Sequence, residues 1–232
     1  MRSPIEAPEQ LVLDLPHREA RGAEDFLVSQ CNEAAVRIVD RWPDWPAPAV
    51  LIIGPAACGK THLANVWRTQ AGAEDLAAQD VGVVAVNAFE NVTALIIEDI
   101  DGASYDETAL FHLLNLSKEN SFSLLLTART PPGHWRIALP DLRSRLRSLP
   151  VVAIEPPDEA LLKAVLVKLF NDRQVIVAPH VVDFIALRME RSMEWVQIFV
   201  DAVDKAALSG GRKVTRQLAA NVLSQLTARK VD

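Results

Sequence analysis

The chain has 232 residues, half of them hydrophobic and 23% charged, with a formal net charge of -6. This is an ordinary soluble globular composition with ample apolar material for a core. The acidic balance argues against a protein whose main task is gripping nucleic acid, despite a local basic cluster, DLRSRLRS, at 141–148. The two cysteines, Cys31 and Cys58, have the spacing of neither a disulfide framework nor a zinc site. No signal-peptide pattern and no apolar run long enough for a membrane span occurs, so the expectation is a cytoplasmic protein with no membrane contact.

The first 22 residues read as a flexible leader. Within it, EQLVLDLP (9–16) places Leu11, Leu13 and Leu15 at every second position after Gln10. That alternation reads as a strand with one apolar face. Pro8 and Pro16 bracket it, which argues against a central strand, and a lone short strand is a poor structural unit in water.

From residue 23 an α/β domain is expected to run to 156. AAVRIVDRW carries a helical pattern that stops at WPDWPAP, where the prolines cannot continue it. Trp42 and Trp45 read as loop residues packed onto a core. AVLIIG, ALIIED and SLLLTA are apolar runs of the buried parallel-strand kind, and VVAIE follows them. Between them lie helical patterns in KTHLANVWRTQ, YDETALFHLLNLSKEN and LPDLRSRLR. The alternation predicts a parallel sheet covered on both faces. One strand is ambiguous: VGVVAV reads as a strand but leaves too few residues for a crossover, and a short strand near Ala73–Leu76 serves equally well.

After EPPD (155–158) the character changes. Four helical patterns follow, with Asp158, Ser192 and Thr215 as N-caps and Gly210 as a helix stop. A helical domain over 157–232 is expected.

Gly54-Pro55-Ala56-Ala57-Cys58-Gly59-Lys60-Thr61 fits GxxxxGK[ST], after a buried strand and before a helix. In that context backbone N–H groups point at phosphate oxygens and the helix adds its positive end. Lys60 reaches the β- and γ-phosphates of ADP or ATP, and the Thr61 hydroxyl ligates Mg²⁺. Cys58 reads first as a small residue that fits, with a redox-sensitive thiol as the alternative. His62, next in line, belongs to the candidate nucleotide-binding stretch by position, although its apolar neighbours read as packing; His112 reads the same way. LIIEDID sets Glu98 and Asp99 at a strand end, one to hold Mg²⁺ and the other to polarise a water. Thr127, ending SLLLT, reads as a hydrogen-bond donor to the γ-phosphate or attacking water, or simply as a strand terminator.

GPAACGKTHLANVW, ALIIEDID, LLLTARTPP, LPDLRSRL and RKVTRQLAANVL occur in one order. In that order they resemble the AAA+ module of the DnaA family of bacterial replication initiators, from about Glu24 to Leu226. The chain ends where that family's helix-turn-helix DNA-binding domain would begin, which narrows the resemblance to the Hda-type regulators. The resemblance implies a protein that binds the DNA polymerase III sliding clamp (its beta subunit) and promotes hydrolysis of ATP held by DnaA. Replication initiation is thereby switched off. It implies no direct sequence-specific DNA binding and allows a homo-oligomer. QLVLDL matches the family's clamp-binding peptide, with Gln10, Leu11, Leu13 and Leu15 as anchors entering pockets of the clamp. Arg145 falls where the family places its arginine finger, with Arg143 and Arg147 as neighbouring alternatives.

Two departures bear on the chain's own chemistry. Glu194 stands where DnaA-like lids carry a nucleotide-sensing arginine, with Arg191 three residues earlier. The acids read Glu98-Asp99, the reverse of the usual order. Both imply weak ATP hydrolysis by this chain itself and an ADP-bound, switch-like role. The other reading is an autonomous AAA+ ATPase, such as a helicase loader or transposition helper. A small-molecule P-loop kinase is disfavoured by the separate helical domain and the Arg145 segment.

Overall fold

The computed structural model describes residues 26–82, 92–119, 122–210 and 214–231. Between Pro156 and Pro157 the chain divides into two compact units.

The first unit is built on a parallel sheet of five strands: β1 (Ala49–Ile53), β2 (Glu74–Asp75), β3 (Ala94–Ile97), β4 (Ser123–Ala128) and β5 (Val151–Ala153), in the order β2-β3-β4-β1-β5. The apolar runs are continuous because both faces are covered, and successive side chains go to opposite faces. Leu51, Leu95, Ile97, Leu124 and Leu126 enter one core, with Leu110, Leu113 and Leu114 of α3 (Glu107–Glu119) and Leu142 and Leu146 of α4 (Pro140–Arg147). The intervening Ile52, Ala94, Ile96 and Leu125 enter the other. There they meet Val36 and Val39 of α1 (Glu33–Asp40) and Leu63, Ala64 and Trp67 of α2 (Lys60–Ala71). Each fully buried Leu or Ile side chain contributes about 1.5–3 kcal/mol relative to exposure.

Of the two positions read for the ambiguous strand, the earlier one forms a strand. β2 pairs with β3 at Glu74–Leu95 and Asp75–Ile96, whereas most of VGVVAV lies outside the described residues. The tryptophans pack as the proline-rich loop suggests. Trp45 stacks on buried Trp67 at 4.8 Å between ring centroids, and Trp42 meets the same ring edge-on at 6.3 Å. The indole N–H of Trp45 donates to Ile38 O and that of Trp42 to Ser123 Oγ, so neither leaves a polar atom unpaired in the core.

The second unit is all-helical: α5 (Glu159–Asp172), α6 (Pro179–Ala186), α7 (Met193–Gly210) and α8 (Arg216–Val231). Leu162, Leu166, Phe170, Val182, Ile185, Phe199 and Val203 form its core. The three expected caps are present. Asp158 accepts from Leu161 N at 2.7 Å, Thr215 Oγ1 from Leu218 N at 3.2 Å and Ser192 Oγ from Trp195 N at 3.4 Å. No helix among the described residues is long and apolar enough to cross a membrane.

Candidate functional site

The site lies where the central strands end. β1 runs into the Gly54–Gly59 loop, which opens α2 with no side-chain cap, so the helix's first N–H groups face the loop. Two glycines set the loop's shape. A Cβ on Gly54 would stand 2.7 Å from Cys58 Sγ and 2.9 Å from Ile154 O. Gly59 has φ +105°, and a Cβ there would meet the Phe26 ring at 2.7 Å. Ala57 also takes a left-handed φ, of 58°.

Lys60 is buried, and its ammonium folds back onto the loop, donating to Gly54 O at 2.8 Å and Pro55 O at 3.0 Å. A cation so placed braces the loop from within while lying beside the space the loop encloses. Thr61 Oγ1 donates to Glu98 Oε2 at 2.5 Å, joining the start of α2 to the end of β3. The next residue, Asp99, adopts a left-handed turn (φ 49°), and its N–H donates to the hydroxyl of fully buried Thr127 at 3.0 Å.

Ala56, Ala57, Cys58, Gly59, Lys60, Thr61 and Asp99 line one cavity of about 260 Å³, together with Arg129. A larger cleft of about 850 Å³, lined in part by Glu98 and Asp101, shares Asp99 and Arg129 with it. Of the sequence candidates, the loop, Thr61, Glu98, Asp99 and Thr127 thus converge. His62 leaves the cavity and stacks on Phe26 at 5.0 Å between centroids. Arg145 stands apart from both cavities, its guanidinium donating to Asn115 Oδ1 of α3. Arg143 donates to Ile137 O, and Arg147 is exposed. Glu194 and Arg191 are exposed in the helical unit. Gln10, Leu11, Leu13 and Leu15 lie outside the described residues.

Of the two readings of Cys58, the structure favours the small packing residue. Burial pushes its thiol pKa up, only partly offset by nearby Lys60, which starves it of reactive thiolate.

Two residues escaped the sequence reading. The Asp101 carboxylate accepts from Arg129 N at 3.0 Å and from Thr130 N and Thr130 Oγ1, each at 2.9 Å. It thereby seats Arg129 at the cavity. A signal existed, since both residues lie just past the carboxyl ends of neighbouring strands, where ligands of open α/β sheets bind.

The residues suit a nucleotide with its metal. The loop's path is one that a Cβ at Gly54 or Gly59 would distort, by collision with Ile154 or Phe26, and Lys60 and the helix N-terminus supply positive charge beside the cavity it encloses. Among the described residues no cluster of three or more His, Cys, Asp or Glu could hold a metal by itself. Thr61, Glu98 and Asp99 bring a hydroxyl and two carboxylates to the end of the sheet beside the loop, donors of the kind that take Mg²⁺ together with substrate phosphates.

Together, sheet order, loop and helical unit define an AAA+ P-loop NTPase fold. Domain III of the Thermotoga maritima initiation protein DnaA shares it, with TM-score 0.72 and 20% identity over 90% of this chain and 97% of that one. AMPPCP-bound DnaA from Aquifex aeolicus matches with TM-score 0.67 and 17% identity, over 81% of this chain and 66% of that one. The RuvB Holliday junction branch migration motor of Thermotoga maritima matches with TM-score 0.60 and 17% identity, over 84% of this chain and 67% of that one. Within that class the chain is similar in sequence to DnaA. It is 24% identical to the chromosomal replication initiator DnaA of Cutibacterium acnes over 88% of its own length. It spans 46% of that protein, and no family profile matches it.

Proposed function

We propose that this chain is a regulatory AAA+ protein that binds ADP or ATP with Mg²⁺, docks on the DNA sliding clamp through residues 10–15 and promotes hydrolysis of ATP held by DnaA. The observation that carries the reading is the position of Arg145. Its guanidinium lies at α3 and lines neither cavity of its own chain, as suits a group that works across an interface on a partner's nucleotide.

Within the chain, the loop N–H groups hold the α- and β-phosphates and Lys60 reaches the β- and γ-phosphates. Thr61 and one acid of the Glu98–Asp99 pair would hold Mg²⁺, and the other acid would polarise a water. Mg²⁺, when bound, neutralises phosphate charge. Bound nucleotide orders this module, and Arg145 supplies positive charge to the γ-phosphoryl group on DnaA. An arginine finger is worth ~10³–10⁵ in rate.

The test is the ATP remaining on DnaA with the clamp loaded on DNA. Arg145→Ala should fold, bind ADP and bind the clamp, yet fail to accelerate hydrolysis. Arg145→Lys should fail too, since an ammonium cannot reproduce the planar fork on a phosphoryl group. Full stimulation by Arg145→Ala would sink the assignment.

One observation favours the second reading, an autonomous ATPase: Asp99, Glu98 and Arg129 all gather at the chain's own phosphate loop. Turnover of ATP by the purified chain alone separates the two.

A further inference from the structure

We infer that Arg188 and Arg216, which lie over one ring, that of Phe184, form a surface of the helical unit that grips the phosphate backbone of duplex DNA, weakly and without regard to base sequence. The choice of DNA among anionic partners rests on the proposed function, in which the chain works at a clamp loaded on DNA.

Two elements bring the charges together. Arg188 follows α6, its N–H donating to Ile185 O at 3.0 Å, and Arg216 is the first residue of α8. A parallel bridge between Val177 and Val214 joins the segments that lead into these two helices. The guanidinium carbons stand 4.2 Å (Arg188) and 4.5 Å (Arg216) from the Phe184 centroid. Phe184 is half-buried and packs on the core of the unit, so the ring is a fixed platform. A guanidinium on a ring face engages the π-system, and its in-plane N–H donors stay available for phosphate oxygens. Holding both groups in place beforehand leaves less to order when a ligand arrives.

The charge of the pair is uncompensated. Among the described residues neither arginine is in an ion pair. Asp183, next to Phe184 in sequence, is taken by Lys163 at 2.8 Å. Two like charges share one ring, and Arg216 opens a helix with no acid in its first turn. Mutual repulsion and the helix dipole both disfavour that arrangement. Local rules are broken in this way where function requires it. An anion spanning both guanidiniums relieves the repulsion. Duplex DNA offers a negative charge about every 3.4 Å along each strand, so it meets such a pair in any sequence. The net charge of -6 on the whole chain keeps the contact weak. A lipid surface is the competing occupant, because Leu187, beside Arg188, is 66% exposed.

The test measures binding of the full chain to a fluorescein-labelled duplex of mixed sequence, by anisotropy, over a series of salt concentrations. The logarithm of affinity should fall linearly with the logarithm of salt concentration. The double variant Arg188→Gln, Arg216→Gln should make that slope shallower by about 2, since each phosphate contact contributes ~0.9. Replacing both arginines by lysine should keep the slope, because an ammonium still neutralises a phosphate. Arg41→Gln removes the same charge from an exposed position of the α/β unit and should leave the slope unchanged. Both arginines are exposed, so each variant should melt and bind ADP as the wild type does. No binding of the duplex by the wild type at low salt, or an unchanged slope in the double glutamine variant, would overturn the inference. So would an equal change in Arg41→Gln. Arginine-dependent binding to phosphatidylglycerol vesicles with none to DNA would overturn it in favour of a lipid surface. Capture of the clamp is read separately on the same preparations. A chain that binds the duplex through these arginines yet captures no clamp would overturn the proposed function and leave this surface standing.

Discussion

The hydroxyl of Thr127 accepts the Asp99 N–H at 3.0 Å, tying the end of β4 to the left-handed turn that follows β3. Asp99 sits at a φ of 49°, which few non-glycine residues adopt without support. Thr127 is fully buried, so this bond holds the turn from beneath. Thr127→Val keeps the shape of the side chain and removes the acceptor. It should cost about 1 kcal/mol in stability and weaken ADP binding through displaced Asp99. Thr127→Ser should restore both. Chemical denaturation and calorimetry read the two effects. Loss confined to AMPPCP, with ADP and stability unchanged, would instead mark the hydroxyl as a γ-phosphate contact.

Lys60 braces Gly54 O and Pro55 O from a buried position. Lys60→Ala removes both the brace and the charge that faces the phosphates. Affinity for ADP and ATP should fall together and sharply, by roughly 100-fold if a charge-assisted contact at the upper end of the usual range is lost. Unchanged affinity in calorimetry would refute the site.

Gly59 combines φ +105° with Phe26 at 2.7 Å from where a Cβ would sit. Gly59→Ala should therefore destabilise the α/β unit by at least ~1 kcal/mol and abolish nucleotide binding. The double variant Gly59→Ala, Phe26→Ala relieves the clash but not the backbone strain. It should regain only part of the stability in thermal melts. Full recovery would show that crowding by Phe26 was the whole effect.

The clamp peptide gives a prediction about independence. Replacing Gln10, Leu11 and Leu13 by alanine should abolish capture of the sliding clamp on a surface sensor. The melting temperature of the chain should stay within a degree or two, because a docking peptide contributes nothing to the core. A large loss of stability would identify residues 9–16 as a strand of the protein's own fold.

Much of this was legible in one dimension. Strands β1, β3 and β4 are continuous apolar runs because parallel strands covered on both faces have no polar side to show. The phosphate loop was legible because its glycines and Lys-Thr pair serve backbone geometry and charge at fixed spacing. The caps Asp158, Ser192 and Thr215 were legible because capping is settled within four residues. What the sequence left open was decided by register and crossing. Glu74–Asp75, two exposed polar residues, form a strand only because β3 offers them an edge, so no apolar pattern announced them. Asp101 and Arg129 lie 28 residues apart and meet because β3 and β4 pair in parallel, with Ile97 beside Leu126. Arg145 carries the same local pattern as Arg143 and Arg147. Only the packing of α4 beside α3 gives it Asn115 as a partner and keeps it out of its own chain's cavity, since a contact between distant segments has no signature in either segment alone.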